Sequence, residues 1–205
     1  MRGDERETER VRRFYERAAR DYDRWMRRFD PLVLGDARAR LCAKATGKTL
    51  EVAIGTGRNL PFYPHDVELT GVELSPAMLD IARRRAEGRA VDLRIGDAES
   101  LDLPDATFDT VVFTLCLCTI PDERRALAEA HRVLRSGGRL LLLEHVRSPI
   151  APVRWVQRVL DPLFRLASDH VLRDPLDHLA SLGFVVEECR RYRWGIMEEV
   201  VARKP

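Results

Sequence analysis

The sequence predicts an α/β fold built on one mostly parallel, seven-stranded sheet with helices on both faces and an antiparallel hairpin at its C-terminal edge. Three observations predict it. Short apolar runs alternate with amphipathic stretches from residue 49 to 145; Thr110–Leu115 and Arg139–Glu144 are almost continuously apolar; and Leu50–Asn59 reads as strand, glycine turn and helix start. Strands that are apolar on both faces need helices on both sides of the sheet.

Each element follows in order. Val11, Phe14, Tyr15, Ala18, Tyr22 and Trp25 recur at three- and four-residue spacing, which predicts a helix over about 5–28 with one apolar stripe. Asp30-Pro31 interrupts it, a second helix is expected over about 32–45, and Thr46-Gly47-Lys48 reads as a turn. Strands are expected at Thr49–Ala53, Val67–Val72, Val91–Ile95, Thr110–Leu115 and Arg139–Glu144. Ser75-Pro76 supplies an N-cap and first helical residue for a helix to about Glu87. Another helix spans about Asp122–Val133, turning at Ser136-Gly137-Gly138. The segment 151–168 reads as helix, Pro175–Leu182 as a short helix ended by Gly183, and Phe184–Arg190 with Trp194–Ala202 as a hairpin. No repeat or linker divides the chain, so residues 1–205 are expected to form one domain. Residues 1–45 would be its helical cap and 146–172 a helical lid over the substrate.

Composition narrows the function classes. A net charge of +2 is too small to imply nucleic acid, and the many arginines of the first 25 residues are interleaved with acids. That first helix is a candidate for peripheral contact with an anionic membrane surface. No apolar run approaches the roughly 20 residues that span a bilayer, and the N-terminus has no apolar signal region, so a cytoplasmic location is expected. Cys42, Cys116, Cys118 and Cys189 form no ligand-spaced set, so no metal is expected and they read as buried hydrophobes.

The most informative stretch is Glu51-Val52-Ala53-Ile54-Gly55-Thr56-Gly57-Arg58-Asn59. Glycines at a strand-to-helix crossover let backbone approach a ligand, and the helix start beyond presents unpaired amides. Glu73 stands 22 residues after Glu51 at the end of the second strand, where such folds place a carboxylate on a ribose. Asp97, in Gly96-Asp97-Ala98-Glu99 after the third strand, can accept from an adenine amino group. Glu51 would repel a pyrophosphate and attract an ammonium, which disfavours a nicotinamide or flavin. The P-loop lysine is absent as well.

With EVAIGTG, GVELSPAML, IGDAESLDLPDATFDTV and HRVLRSGGRLLLLEHV, the chain resembles a class I S-adenosylmethionine-dependent methyltransferase of Rossmann-like fold over residues 10–205. The resemblance implies S-adenosyl-L-methionine as cofactor, with Glu73 on the ribose, Asp97 on the adenine amino group and Gly55, Thr56 and Gly57 along the methionine part. Leu74 and Met78 would pack on adenine, Ala98 would supply a backbone contact, and Thr114 and Leu115 would line the pocket near the sulfonium. Tyr22 would fold over the cofactor or else serve as core. Glu51, Ala53, Asn59 and Glu99 complete the candidate set. Ala53 replaces the family's usual first glycine, and tighter packing is expected there.

The C-terminal half, through FTLCLCTIPDERRAL, LLLEHVRSP and WVQRVLDPLFRLASDHVLRDP, resembles small thiol methyltransferases related to microsomal alkyl-thiol enzymes, and also quinone-biosynthesis and phospholipid N-methyltransferases. The resemblance implies a small-molecule acceptor, best a thiol, with quinone, phenol or phospholipid amine as alternatives. A non-catalytic S-adenosylmethionine-binding protein is the reading from another class. The microsomal members carry an apolar N-terminal anchor, and this chain begins with charged residues instead. His145, just past the fifth strand, is the candidate general base, with Asp169 and His170 behind it. Trp155, Val156, Val159, Leu160, Leu163 and Phe164 form an apolar stripe read as core or as a lid over an apolar acceptor. Cys116 and Cys118 should share one face at a strand end.

Overall fold

The computed structural model describes residues 3–166 and 168–205, with side chains described from Glu5 onward. Residues 1 and 2 of the expected 1–205 domain, and residue 167 of the expected 151–168 helix, lie outside the described residues.

Helix α1 (Gly3–Phe29) forms as its apolar spacing predicts, and the following segment divides into one π-helical turn (Asp30–Leu34) and α2 (Ala37–Cys42). The division falls at Gly35, whose φ of 59° no continuous helix can contain. The strands are β1 (Lys48–Val52), β2 (Glu68–Glu73), β3 (Val91–Ile95), β4 (Phe108–Thr114), β5 (Leu134–His145), β6 (Val185–Tyr192) and β7 (Met197–Arg203). Between them lie α3 (Pro76–Arg85), α4 (Glu123–Val133), α5 (Ala151–Arg165) and the short α6 (Leu176–Leu179). The side chain of Ser75 accepts from Met78 N at the start of α3, and Asp122 accepts from Arg125 N at the start of α4.

Other features differ from expectation. Beyond the Gly55–Gly57 turn the chain makes one 3-10 turn (Leu60–Phe62) where a helix start was expected, with Pro61 inside it. The Ser136-Gly137-Gly138 turn is absorbed into β5 at a register shift opposite Phe108 and Thr110. Trp194 belongs to the turn between β6 and β7, where Arg193, Trp194 and Gly195 are consecutively left-handed.

The sheet runs β3-β2-β1-β4-β5-β7-β6, with β1 to β5 parallel and β7 antiparallel to both neighbours. Alternation along the central strands supplies two cores. Leu50, Val52, Val111, Phe113, Leu140 and Leu142 face α4, while Val112, Leu141, Leu143 and Val201 face α2 and α3. Adjacent residues of β4 and β5 are thus buried on opposite faces, which is why those runs read as continuously apolar. Strand order reverses between β1 and β4, and their carboxyl ends open a crevice there.

The chain leaves β1 through Ala53, which adopts φ 53°. Beyond the packing expected at this position, the alanine occupies a left-handed conformation that glycine takes freely. An L-residue there carries about 1–2 kcal/mol of steric cost. Glycine would remove it while adding entropy to the unfolded chain. Ala53→Gly is therefore expected to raise unfolding free energy by roughly 0.5–1 kcal/mol in urea titrations. A lowered midpoint would mean that this turn is not left-handed in solution.

Candidate active site

The expected site residues converge on one cavity at the carboxyl ends of β1, β2, β3 and β4. Tyr22, Glu51, Ala53, Gly55, Thr56, Asn59, Glu73, Leu74, Met78, Asp97, Ala98, Thr114 and Leu115 all line it. Ala53 and Leu115, both left-handed non-glycine residues, stand on the two sides of the switch point.

Glu73 ends β2 with each carboxylate oxygen already engaged. Oε2 accepts from Gly55 N at 2.9 Å and Oε1 from Ser75 N at 2.9 Å, so this side chain ties the glycine turn to the start of α3. Burial raises its pKa, and those two amide bonds oppose the rise. Glu51 is held differently. Its Oε1 accepts from the Asn59 carboxamide at 2.8 Å, while its Oε2 is buried without a hydrogen-bond partner. Burial pushes the Glu51 carboxyl up to about 7, against the opposing pull of Tyr63, Asn59 and Arg38. Glu144, near the end of β5, is also pushed up to about 7 by burial while accepting from Cys116 N and Leu117 N. Between the ordinary value of 4.5 and about 7, the folded chain binds more protons at these two sites than the unfolded chain. Their ionisation therefore lowers stability as pH rises through that window.

Three expected residues do not line the cavity. Gly57 serves packing: a Cβ there would stand 2.8 Å from Leu60 Cδ1 and 3.3 Å from Ala82 Cα, so its absence lets α3 close on the turn. Glu99 is buried, its Oε1 accepting from Asp122 N at 2.9 Å ahead of α4. His145 lies beyond the cavity wall with its Nε2 3.0 Å from Asp169 Oδ1. Burial pushes its pKa down, but the carboxylates of Asp169 and Glu144 outweigh that and the net shift is upward. Its Nδ1 is buried and without a partner.

The fold adds neighbours that spacing along the chain did not reveal. Cys118, His145 and Asp169 each bring one atom of ligating type within 4.8 Å of the others. Two contacts fix this cluster. His170 N donates to Cys118 O at 2.9 Å, and Arg173 donates to the carbonyls of Leu117, Ile120 and Pro121. Cys118 and Asp169 lie within electrostatic reach of Tyr15, a cavity-lining residue whose ring meets that of Tyr22 edge-on at 6.2 Å. Cys116 and Cys118 do not share a face, because left-handed Leu115 ends the strand before them: Cys116 turns toward Val52 O and Glu144, Cys118 toward Asp169. Cys189 is exposed, contrary to the expectation of burial, since it lies on the outermost strand β6.

Sequence reasoning missed Arg38 and much of α1. Thr8, Val11, Arg12 and Tyr15 line the cavity, and only the apolar stripe hinted that this helix covers something. Trp25 was expected in that stripe and is exposed. Among the described residues none of α5 lines the cavity, and the apolar stripe of this helix faces outward, neither core nor closed lid.

A family profile described as "Methyltransferase domain" matches residues 50–142. The chain is 39% identical over 118 residues to a phosphatidylethanolamine N-methyltransferase of Cereibacter sphaeroides, covering 56% of this chain and 58% of that protein. It is 35% identical to a thiol S-methyltransferase of Rattus norvegicus, covering 66% and 59%. The chain thus spans less than two thirds of the length of these relatives. A demethylmenaquinone methyltransferase of Tropheryma whipplei is 31% identical over 205 residues, covering 89% and 83%. In fold, the chain is similar to an S-adenosylmethionine-dependent methyltransferase of Thermotoga maritima titled a "possible histamine N-methyltransferase", with TM-score 0.74, 25% identity, and 95% and 100% coverage. Strand order, the acidic glycine turn and these relatives agree: the chain belongs to the S-adenosylmethionine-dependent methyltransferase family.

Proposed function

We propose that this protein transfers the methyl group of S-adenosylmethionine to a small apolar acceptor in the cytoplasm, and that the acceptor is a thiol. The observation that carries the thiol reading is the half-buried His145–Asp169 pair beside Cys118, within electrostatic reach of Tyr15 on the cavity wall.

The residues present fit the cofactor. Glu51, whose Oε2 has no hydrogen-bond partner, lines a cavity that also carries Glu73, Asp97, Arg12, Arg38 and Arg58, and its carboxylate is suited to an ammonium. Glu73 would hold the ribose with its remaining lone pairs, Asp97 the adenine amino group, and Leu74 with Met78 the ring face. When bound, the cofactor supplies an already activated methyl group on a sulfonium. The protein then has to align the acceptor, exclude water and receive one proton. His145 is suited to receive that proton. Its Nε2 lies 3.0 Å from Asp169 Oδ1, where the carboxylate would stabilise the imidazolium that results, and its Nδ1 has no hydrogen-bond partner. A raised imidazole pKa also lies nearer that of a thiol, which favours the transfer. Residues 1–45 act in this reading as a cap, since α1 contributes Tyr15 and Tyr22 to the cavity.

A second reading, methylation of a quinol or of a phospholipid amine, is favoured by the outward apolar face of α5, which suits an acceptor drawn from lipid. Mass spectrometry of products from labelled S-adenosylmethionine and a panel of thiols, phenols, quinols and lipids separates the readings. A methylated thiol is expected; product from a quinol or lipid alone would transfer the assignment, and no product from any acceptor would leave a binding protein.

Three variants test the residue roles. Glu73→Ala is expected to weaken cofactor binding by about 1.5–3 kcal/mol in calorimetry, and unchanged affinity would remove the ribose from this strand end. Because Glu51 titrates near 7 in the free protein, an ammonium beside it should drive off its proton. Affinity should accordingly rise with pH toward about 7 and then level, with proton release that vanishes in Glu51→Gln; identical proton release in the variant would refute the pairing. His145→Ala should lower turnover by about 10²–10⁴ while leaving cofactor affinity in place, and full turnover would exclude it as the base.

A further inference from the structure

All three tryptophans of the chain are more than half exposed: Trp25 at 56%, Trp155 at 65% and Trp194 at 74%. Tryptophan is among the most buried residues on average, so three in the open need a partner. Two of them belong to one surface. On α5, Trp155, Val159 and Leu163 repeat every four residues and Val156 lies beside them, all exposed. Leu166 continues the face past the helix end, and it too is exposed. The turn carrying Trp194 is fastened to the start of this helix. Ser148 Oγ donates to Trp194 O at 2.7 Å, and Ile150 N donates to the same hydroxyl at 3.1 Å. The left-handed backbone at Arg193, Trp194 and Gly195 makes the tight turn that bears this ring.

The charge around this face is predominantly positive. Helix α5 carries Arg154, Arg158 and Arg165 against a single acid, Asp161, which is buried and bonded to Arg165. At the helix end, Leu166 lies in a cleft with α1 lined by Arg6, Arg10, Arg13 and Arg17 and one acid, Glu9. An apolar stripe edged by arginine and tipped with tryptophan matches the boundary between acyl chains and anionic headgroups. A second copy fits less well, because a two-fold contact through α5 would bring the arginines of both copies toward one another.

We propose that α5, with Leu166 and the Trp194 turn, is a docking surface for an anionic lipid bilayer, on which the protein lies without crossing. Helix α1 is shared between this surface and the cavity: Val11, Arg12 and Tyr15 line one side, Arg10, Arg13 and Arg17 the other. Docking would therefore hold the cavity wall against the membrane. This surface does not depend on which acceptor is methylated.

The test is co-sedimentation of the full chain with vesicles of phosphatidylcholine alone or mixed with phosphatidylglycerol, alongside tryptophan emission. Binding is expected to the mixed vesicles only, weakened by salt and accompanied by a blue shift as the rings leave water. Trp155→Ser with Leu163→Ser should weaken it about tenfold or more. Both side chains are exposed, and retained S-adenosylmethionine affinity by calorimetry would show that the doubly substituted chain is folded. Three results would each overturn the proposal: no binding to phosphatidylglycerol vesicles, equal binding by the folded double variant, or light scattering that finds a dimer which the same substitutions dissociate. In any of these cases, cofactor binding and product formation by the unsubstituted chain would leave the methyltransferase reading standing.

Discussion

The Asn59 carboxamide joins the two strands between which the sheet order reverses. It donates to Glu51 Oε1 on β1 at 2.8 Å and to Thr114 Oγ1 on β4 at 2.9 Å, and its oxygen accepts from Arg38 of α2 at 3.0 Å. Arg38 in turn pairs with Asp30, Asp30 with Arg58, and Arg58 with Asp23, which accepts from Thr56 Oγ1 and pairs with Arg85 of α3. One buried amide thus anchors a network reaching β1, β4, the glycine turn, α2, α3 and the end of α1. Low dielectric strengthens such a network when every member is satisfied and penalises any that is not. The cavity shares Arg38, Glu51, Thr56, Arg58, Asn59 and Thr114 with this network, so these members help to set its shape.

Within that frame the cavity keeps acidic groups at an energetic cost. Glu51 and Glu144 are each pushed toward neutrality by burial, and the free protein would be more stable with both protonated. Glu51 retains one oxygen without a partner, the condition of a group whose partner arrives as a ligand. Glu144 differs: its Oε1 takes the amides of Cys116 and Leu117 and so sets the turn that follows β4. The nearby His145–Asp169 pair depends on the same turn, since Cys118 O is the acceptor that holds His170 in place. Strain and buried charge collect at this end of the sheet, while the two apolar cores carry the stability.

Helix α5 breaks the usual relation between apolar stripe and core. Its one buried residue is polar, Asp161, and the half-buried Gln157 bonds to Val146 O and Val171 O, whereas six of its large apolar side chains are exposed. The stripe that spacing assigns to the interior is therefore surface, and the helix contributes contact area to something outside the chain.

What the sequence determined by itself was whatever local periodicity and backbone chemistry decide. Seven strands, the cap at Ser75, and the acid-then-glycine turn from Glu51 to Gly57 follow from side-chain repeat, φ preference and hydrogen-bonding inventory. Part of the cavity lining was legible for the same reason, as Glu51, Ala53, Glu73, Asp97, Thr114 and Leu115 stand at or just past strand ends whose positions the repeat reveals. Tertiary structure alone decided the rest. A period of 3.6 says that a helix has an apolar side but not whether that side meets protein, so α5 and Trp25 were misplaced. The Cys118–His145–Asp169 cluster and the role of Arg38 join residues 21 to 51 positions apart, and nothing local encodes such meetings. The strain at Ala53 and Leu115 was equally hidden, because a left-handed L-residue is imposed by the packing around it and not by its own preference.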